Sequence, residues 1–97
     1  MNALDFASRL VSFDSVSRRS NVAVSDFAAL TLGSLGFEVE RLEYDDAQGV
    51  RKACVIGKKG PGTGGLAYFG HTDVVPADPW YSNEHGPFEP TVQGGRL

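Results

Sequence analysis

Apolar residues fall at helical spacing twice in the first third of the chain. Leu4, Ala7, Leu10 and Val11 share one face at a period of 3.6, which predicts a helix from Asn2 to about Val11. Asn2 suits its N-cap. Asp5, three residues on, suits the first turn, where a carboxylate meets the positive end of the helix dipole. The polar run SFDSVSRRSN reads as a loop that also caps the next helix. That second helix is expected to start after Ser20 or Asn21. Val24, Phe27, Ala28, Thr31 and Leu35 give it one mostly apolar face. Gly36 fits the left-handed position beyond its end, and Phe37 can fold back on the last turn.

The period then switches from 3.6 to two. FEVERL alternates apolar and polar residues, as a half-buried strand does. EYDDAQGV reads as a polar turn and KACVIG as a second strand. KKGPGTGG is a loop. GLAYFG is apolar almost throughout, which predicts a strand covered on both faces inside an α/β sheet. Beyond it, Pro76, Pro79, Pro87 and Pro90 exclude a long helix or a central strand. TVQGGRL reads as a strand, a glycine turn and the start of a returning strand. The pattern as a whole is α/β: two helices, then strands of a mixed sheet.

Composition narrows the function classes. A chain of 97 residues holds one small domain, and 41% hydrophobic residues allow a packed core. The net charge of -3 leaves no basic patch, so nucleic acid is not an expected partner. Arg18-Arg19 and Lys58-Lys59 are too short to be more than solvated surface. No window is long and apolar enough for a membrane span, and MNALDFASRL has no secretory pattern. A cytoplasmic location is therefore expected. Cys54 is the single cysteine, which excludes an internal disulfide. Its neighbours Ala53, Val55 and Ile56 suggest a buried, inert thiol. Gly60, Gly62 and Gly65 match G-x-G-x-x-G, but a strand rather than a helix is expected after them, which argues against dinucleotide binding.

The candidate chemistry sits at the end of GLAYFG, where His71 comes directly after Gly70 and Asp73 two residues later. Strand ends in α/β sheets host sites because the loops there are free of the ladder's hydrogen bonds. A neutral imidazole is a common metal ligand, and a carboxylate often holds its other nitrogen. Asp73 could supply that carboxylate or help at the metal itself. Alone, His-x-Asp is a weak signal, and an ordinary loop hydrogen bond is the bland alternative.

The wider block is more specific. GHTDVVP, then Trp80, then Pro87-Phe88, then Gly95 to Leu97 resembles the zinc- or cobalt-dependent amidohydrolase and peptidase family. That family contains acetylornithine deacetylase, succinyl-diaminopimelate desuccinylase, aminoacylase and glutamate carboxypeptidases. The segment LGFEVE matches as well. The resemblance implies residues 1–97 are the N-terminal portion of a zinc-exopeptidase-like catalytic domain, incomplete and without its lid. It implies that His71 is a metal ligand and that Asp73 orients its imidazole. It implies zinc or cobalt, two ions per complete site, and hydrolysis of an N-acyl amino acid, with dimerisation through the lid. Within the family the order of motifs looks most like acetylornithine deacetylase, with the desuccinylase or a peptidase as the alternative. The family's other acidic ligands, its glutamate pair and its last histidine would lie beyond the GGRL hairpin. His85 is not carried over by the resemblance, and Trp80 and Phe88 are expected to pack the rim of the site. A metal-free relative that only binds a ligand is the reading from another class. Met1 reads as a genuine start and Leu97 as a cut end, and a chain of this kind is expected to fold poorly alone and aggregate.

Overall fold

The computed structural model describes all 97 residues. It contains two helices, α1 (Ala3–Val11) and α2 (Val22–Ser34), followed by two strands, β1 (Glu38–Asp45) and β2 (Arg51–Lys58). This is the expected small α/β arrangement of helices followed by strands. The strands form one antiparallel pair, and an isolated parallel bridge joins Val16 to Val74.

Local chemistry explains each boundary. Asn2 Oδ1 accepts from Asp5 N at 3.0 Å, and Asp5 Oδ2 accepts from Asn2 N at 3.0 Å, so α1 starts in a reciprocal capping box. At the end of α2, Phe37 N donates to Leu32 O and Gly36 N to Gly33 O, at 3.0 and 3.1 Å. Gly36 holds φ at +86°, as the expected left-handed cap requires. Lys59 adds a bond from Nζ to Leu35 O at 2.7 Å and lies over the Phe37 ring.

β1 runs further than expected, through Glu43, Tyr44 and Asp45. Charge pairing accounts for this. Arg51 lies 3.0 Å from Asp45 and 3.6 Å from Glu43, so these polar residues belong to a paired ladder rather than a turn. The turn itself is tightened by Asp46 Oδ1, which accepts from Gln48 N and Val50 N, both at 2.9 Å. Arg41 ties β1 to α2 through Asp26 at 2.8 Å and also meets Glu43 at 2.7 Å. The hydrogen bond it donates to Glu43 and the charge of Asp26 raise its pKa above the ordinary guanidinium value.

The helix α2 lies against β1 and β2. Gly57 makes the approach possible, because a Cβ there would sit 3.1 Å from Leu32 Cδ1 and 3.2 Å from Phe37 Cδ1. The core is small: Val16, Val24 and Ala53 are buried, together with Ser15, Ser25 and Lys52. Of the expected apolar face of α2, Val24 is buried, Phe27, Ala28 and Thr31 are half-buried, and Leu35 is exposed. Phe27 meets Phe13 at 5.8 Å between centroids, which brings the end of α1 onto α2.

Two expectations are corrected. Cys54 is exposed, not buried. Its apolar neighbours Ala53 and Val55 point to the opposite face, because side chains alternate along a strand. Residues 65–70 form no strand, and Leu66, Tyr68 and Phe69 are at least 90% exposed. A segment apolar on both faces is stable as a strand only between partners, and none of these residues pairs with it. At the far end, the expected glycine turn forms. Gln93 and Arg96 exchange backbone bonds of 2.9 and 3.0 Å, and Gly94 and Gly95 both take positive φ.

Candidate functional site

The segment from Thr72 to Val74 is sewn to the loop after α1. Ser15 Oγ donates to Thr72 O at 2.6 Å, Val74 N to Ser15 O at 3.0 Å, and Ser17 N to Val74 O at 2.9 Å. No period in the sequence announces this pairing, because it joins two loops 57 residues apart. It places His71 and Asp73 beside the N-terminal end of α2 and the free edge of β2.

That edge is itself occupied. Asn21 Oδ1 accepts from Ala53 N at 2.8 Å, and Asn21 Nδ2 donates to Ala53 O at 2.9 Å. One side-chain amide thus replaces a neighbouring strand at this residue. Asn21 therefore does not cap α2 with its side chain; Ser20 Oγ instead accepts from Val22 N at 3.2 Å.

His71 and Asp73 are in direct contact. His71 Nδ1 lies 2.9 Å from Asp73 Oδ1 and 2.9 Å from Asp73 O. A backbone carbonyl can only accept, so the bond to it puts the proton on Nδ1. Nε2 then carries the free lone pair. The imidazole is 82% exposed, so nothing covers that nitrogen. Gly70, just before it, is overlain by Tyr68: a Cβ there would lie 3.0 Å from the Tyr68 ring.

Two concavities meet at His71. A cleft of about 460 Å³ carries Asn21, Lys52, Cys54, His71 and Asp73 on its walls. A more apolar groove of about 520 Å³ is lined by Val11, Phe13, His71, Val75, Trp80 and Phe88. Trp80 and Phe88 thus stand on the same groove as His71. Trp80 Nε1 donates to His85 O at 2.8 Å, and the His85 ring packs edge-on against Trp80 and Tyr81. His85 is therefore part of an aromatic cluster.

The donor set fits one ligand position of a divalent metal. Nε2 of His71 is a free imidazole donor whose ring is already oriented by a carboxylate. A catalytic zinc takes three protein ligands. No group of three His, Cys, Asp or Glu side chains in this chain is placed to hold an ion. Ser15 bonds the Thr72 carbonyl beside His71, and Lys52 lines the polar cleft. Neither stands out in the sequence, since a serine in a loop and a lysine in a strand both read as solvated.

Comparison with known proteins adds the family. The chain is 45% identical over 73 residues to a succinyl-diaminopimelate desuccinylase of Aromatoleum aromaticum, covering 74% of this chain and 17% of that protein. It is 40% identical over 72 residues to an acetylornithine deacetylase of Myxococcus xanthus, covering 71% and 19%. A desuccinylase of Zymomonas mobilis is 37% identical over 94 residues, covering 97% and 24%. The chain thus spans a quarter or less of the length of these relatives. No family model and no solved structure matches it. No helix is long and apolar enough to cross a membrane. At the family level, the chain is homologous to the metallopeptidases and deacylases that include these desuccinylases and this acetylornithine deacetylase.

Proposed function

We propose that these residues form one part of the active site of a metal-dependent amide hydrolase that acts on N-acyl amino acids. The observation that carries this reading is the His71–Asp73 pair, which leaves Nε2 free at the junction of a polar cleft and an apolar groove. Asp73 holds the proton on Nδ1, so the ring cannot turn its lone pair away. His71 Nε2 is the chain's ligand for zinc or cobalt, two ions per complete site. The bound ions supply Lewis acidity toward an amide carbonyl and toward water. Trp80 and Phe88 give an apolar wall to the groove on which the imidazole stands.

The favoured acyl group is succinyl, on diaminopimelate. Two of these three relatives bear the desuccinylase name, including the one aligned over 97% of this chain. Acetylornithine, to which the motif order points, stands second and is carried by the Myxococcus relative.

The test is amine release by the complete gene product, loaded with zinc or cobalt, from N-succinyl-diaminopimelate and from N-acetylornithine. The succinyl substrate is expected to be preferred by about tenfold or more in kcat/KM, the scale on which one pocket contact discriminates. His71→Ala is expected to lower metal affinity by more than about 100-fold, the upper end of what outer partners cost. A loaded protein that cleaves neither substrate, or a His71→Ala variant with unchanged metal content, sinks the reading.

A further inference from the structure

The His71 side chain is exposed and hydrogen-bonds only to Asp73, so its position depends on the backbone of residues 72–74. The contacts that hold that backbone decide where Nε2 points. We infer that Ser15 and Lys52 are positioning residues, which fix the His71–Asp73 segment against the sheet. This inference rests on the reading of His71 as a metal ligand.

Ser15 supplies the first link. Its hydroxyl donates to the Thr72 carbonyl at 2.6 Å, which is the carbonyl lying between His71 and Asp73. That bond sets the tilt of the peptide joining Thr72 to Asp73. Ser15 O and Ser17 N then hold both backbone groups of Val74. Ser15 and Val16 are each 4% exposed, whereas every residue from 57 to 71 is exposed. The chain passes from an uncovered segment into a buried junction at the residues that carry the ligand.

Lys52 supplies the second link. It stands on β2, and its Nζ donates to Ser17 O at 2.7 Å and to Arg19 O. The residue is 8% exposed, and no carboxylate pairs with it. An ammonium buried among carbonyls alone is costly unless each bond is kept, so the loop is held at the distance Lys52 allows. The sheet therefore sets the loop at 15–19, and the loop sets residues 72–74. Ligands keep their geometry when the groups around them are themselves locked.

The experiment uses the complete gene product and four variants: His71→Ala, Ser15→Ala, Ser15→Thr and Lys52→Met. Zinc affinity is read by competition with a chromogenic chelator, and folding by thermal melting. Ser15→Ala and Lys52→Met are expected to stay folded and to bind zinc about 10- to 100-fold more weakly, as loss of an outer partner does. Ser15→Thr keeps the hydroxyl and is expected to restore affinity. Should Ser15→Ala fail to fold, Ser15→Cys, of similar size and with only a weak donor, takes its place with the same expectation. If His71→Ala loses zinc while the Ser15 and Lys52 variants bind as the wild type does, the positioning role is overturned and the ligand stands. If His71→Ala binds zinc unchanged, the ligand reading itself has failed.

Discussion

At the residue scale, single polar side chains do the joining that a longer sheet would do with backbone. Asn21 satisfies both backbone groups of Ala53 on the free edge of β2. Asn21→Ala removes both bonds at a half-buried position, leaving Ala53 N without a partner and Ala53 O with only the 3.3 Å bond from Ser25 Oγ. We expect a loss of about 1–3 kcal/mol of stability, measured by urea denaturation, because an unmade bond at a buried group costs its desolvation. Asn21→Asp keeps the acceptor but sets a carboxylate against Ala53 O, so it is expected to be no better than alanine. A variant as stable as the wild type would show that Asn21 is incidental to the edge. In the sequence Asn21 reads as a candidate cap, because Asn and Ser precede helices so often. Its partner lies 32 residues away, and no local pattern carries that information.

At the scale of elements, the packing of α2 on β2 turns on a missing side chain. Gly57 sits under Leu32 and Phe37 with no room for a Cβ at ordinary contact distance. Gly57→Val forces the helix outward or pushes Leu32 from its rotamer. Overpacking of this kind costs about 1–3 kcal/mol, and a fall in thermal midpoint would report it. The reverse outcome, a stabilised variant, would mean that the gap between helix and sheet is wider than the contacts imply. Both helices, the Gly36 cap and the first two strands are legible in the sequence, because caps and periodicity act within a few residues. The extension of β1 to Asp45 is not. It depends on Arg51 coming from the other strand to neutralise Glu43 and Asp45.

At the scale of the whole molecule, apolar surface is left uncovered in two places. Leu42, Tyr44, Cys54 and Ile56 lie exposed on the strands, and Leu66, Tyr68 and Phe69 are exposed beyond them. Uncovered apolar residues beside unpaired strand edges favour self-association. The isolated 97-residue chain is expected to form concentration-dependent aggregates, seen by light scattering across a dilution series. Leu66→Lys with Phe69→Lys is expected to reduce them, since charges on an edge segment oppose pairing. A wild-type chain that stays monomeric at high concentration would count against this.

The sequence by itself determined the features that lie within the reach of a few residues. They include the helices and their ends, the two paired strands, the glycine turn near the C-terminus and the adjacency of His71 and Asp73. It also carried the similarity to the desuccinylases and the acetylornithine deacetylase, which extends over 71–97% of the chain. Only the tertiary structure decided that GLAYFG is not a strand among these residues, since pairing needs a partner that periodicity does not name. Only it decided that Cys54 is exposed, because which face of a sheet is covered is set by the groups that pack on it. And only it brought Ser15 to the segment that carries His71, and Lys52 to the loop that holds Ser15, through hydrogen bonds between residues whose spacing in sequence has no period to read.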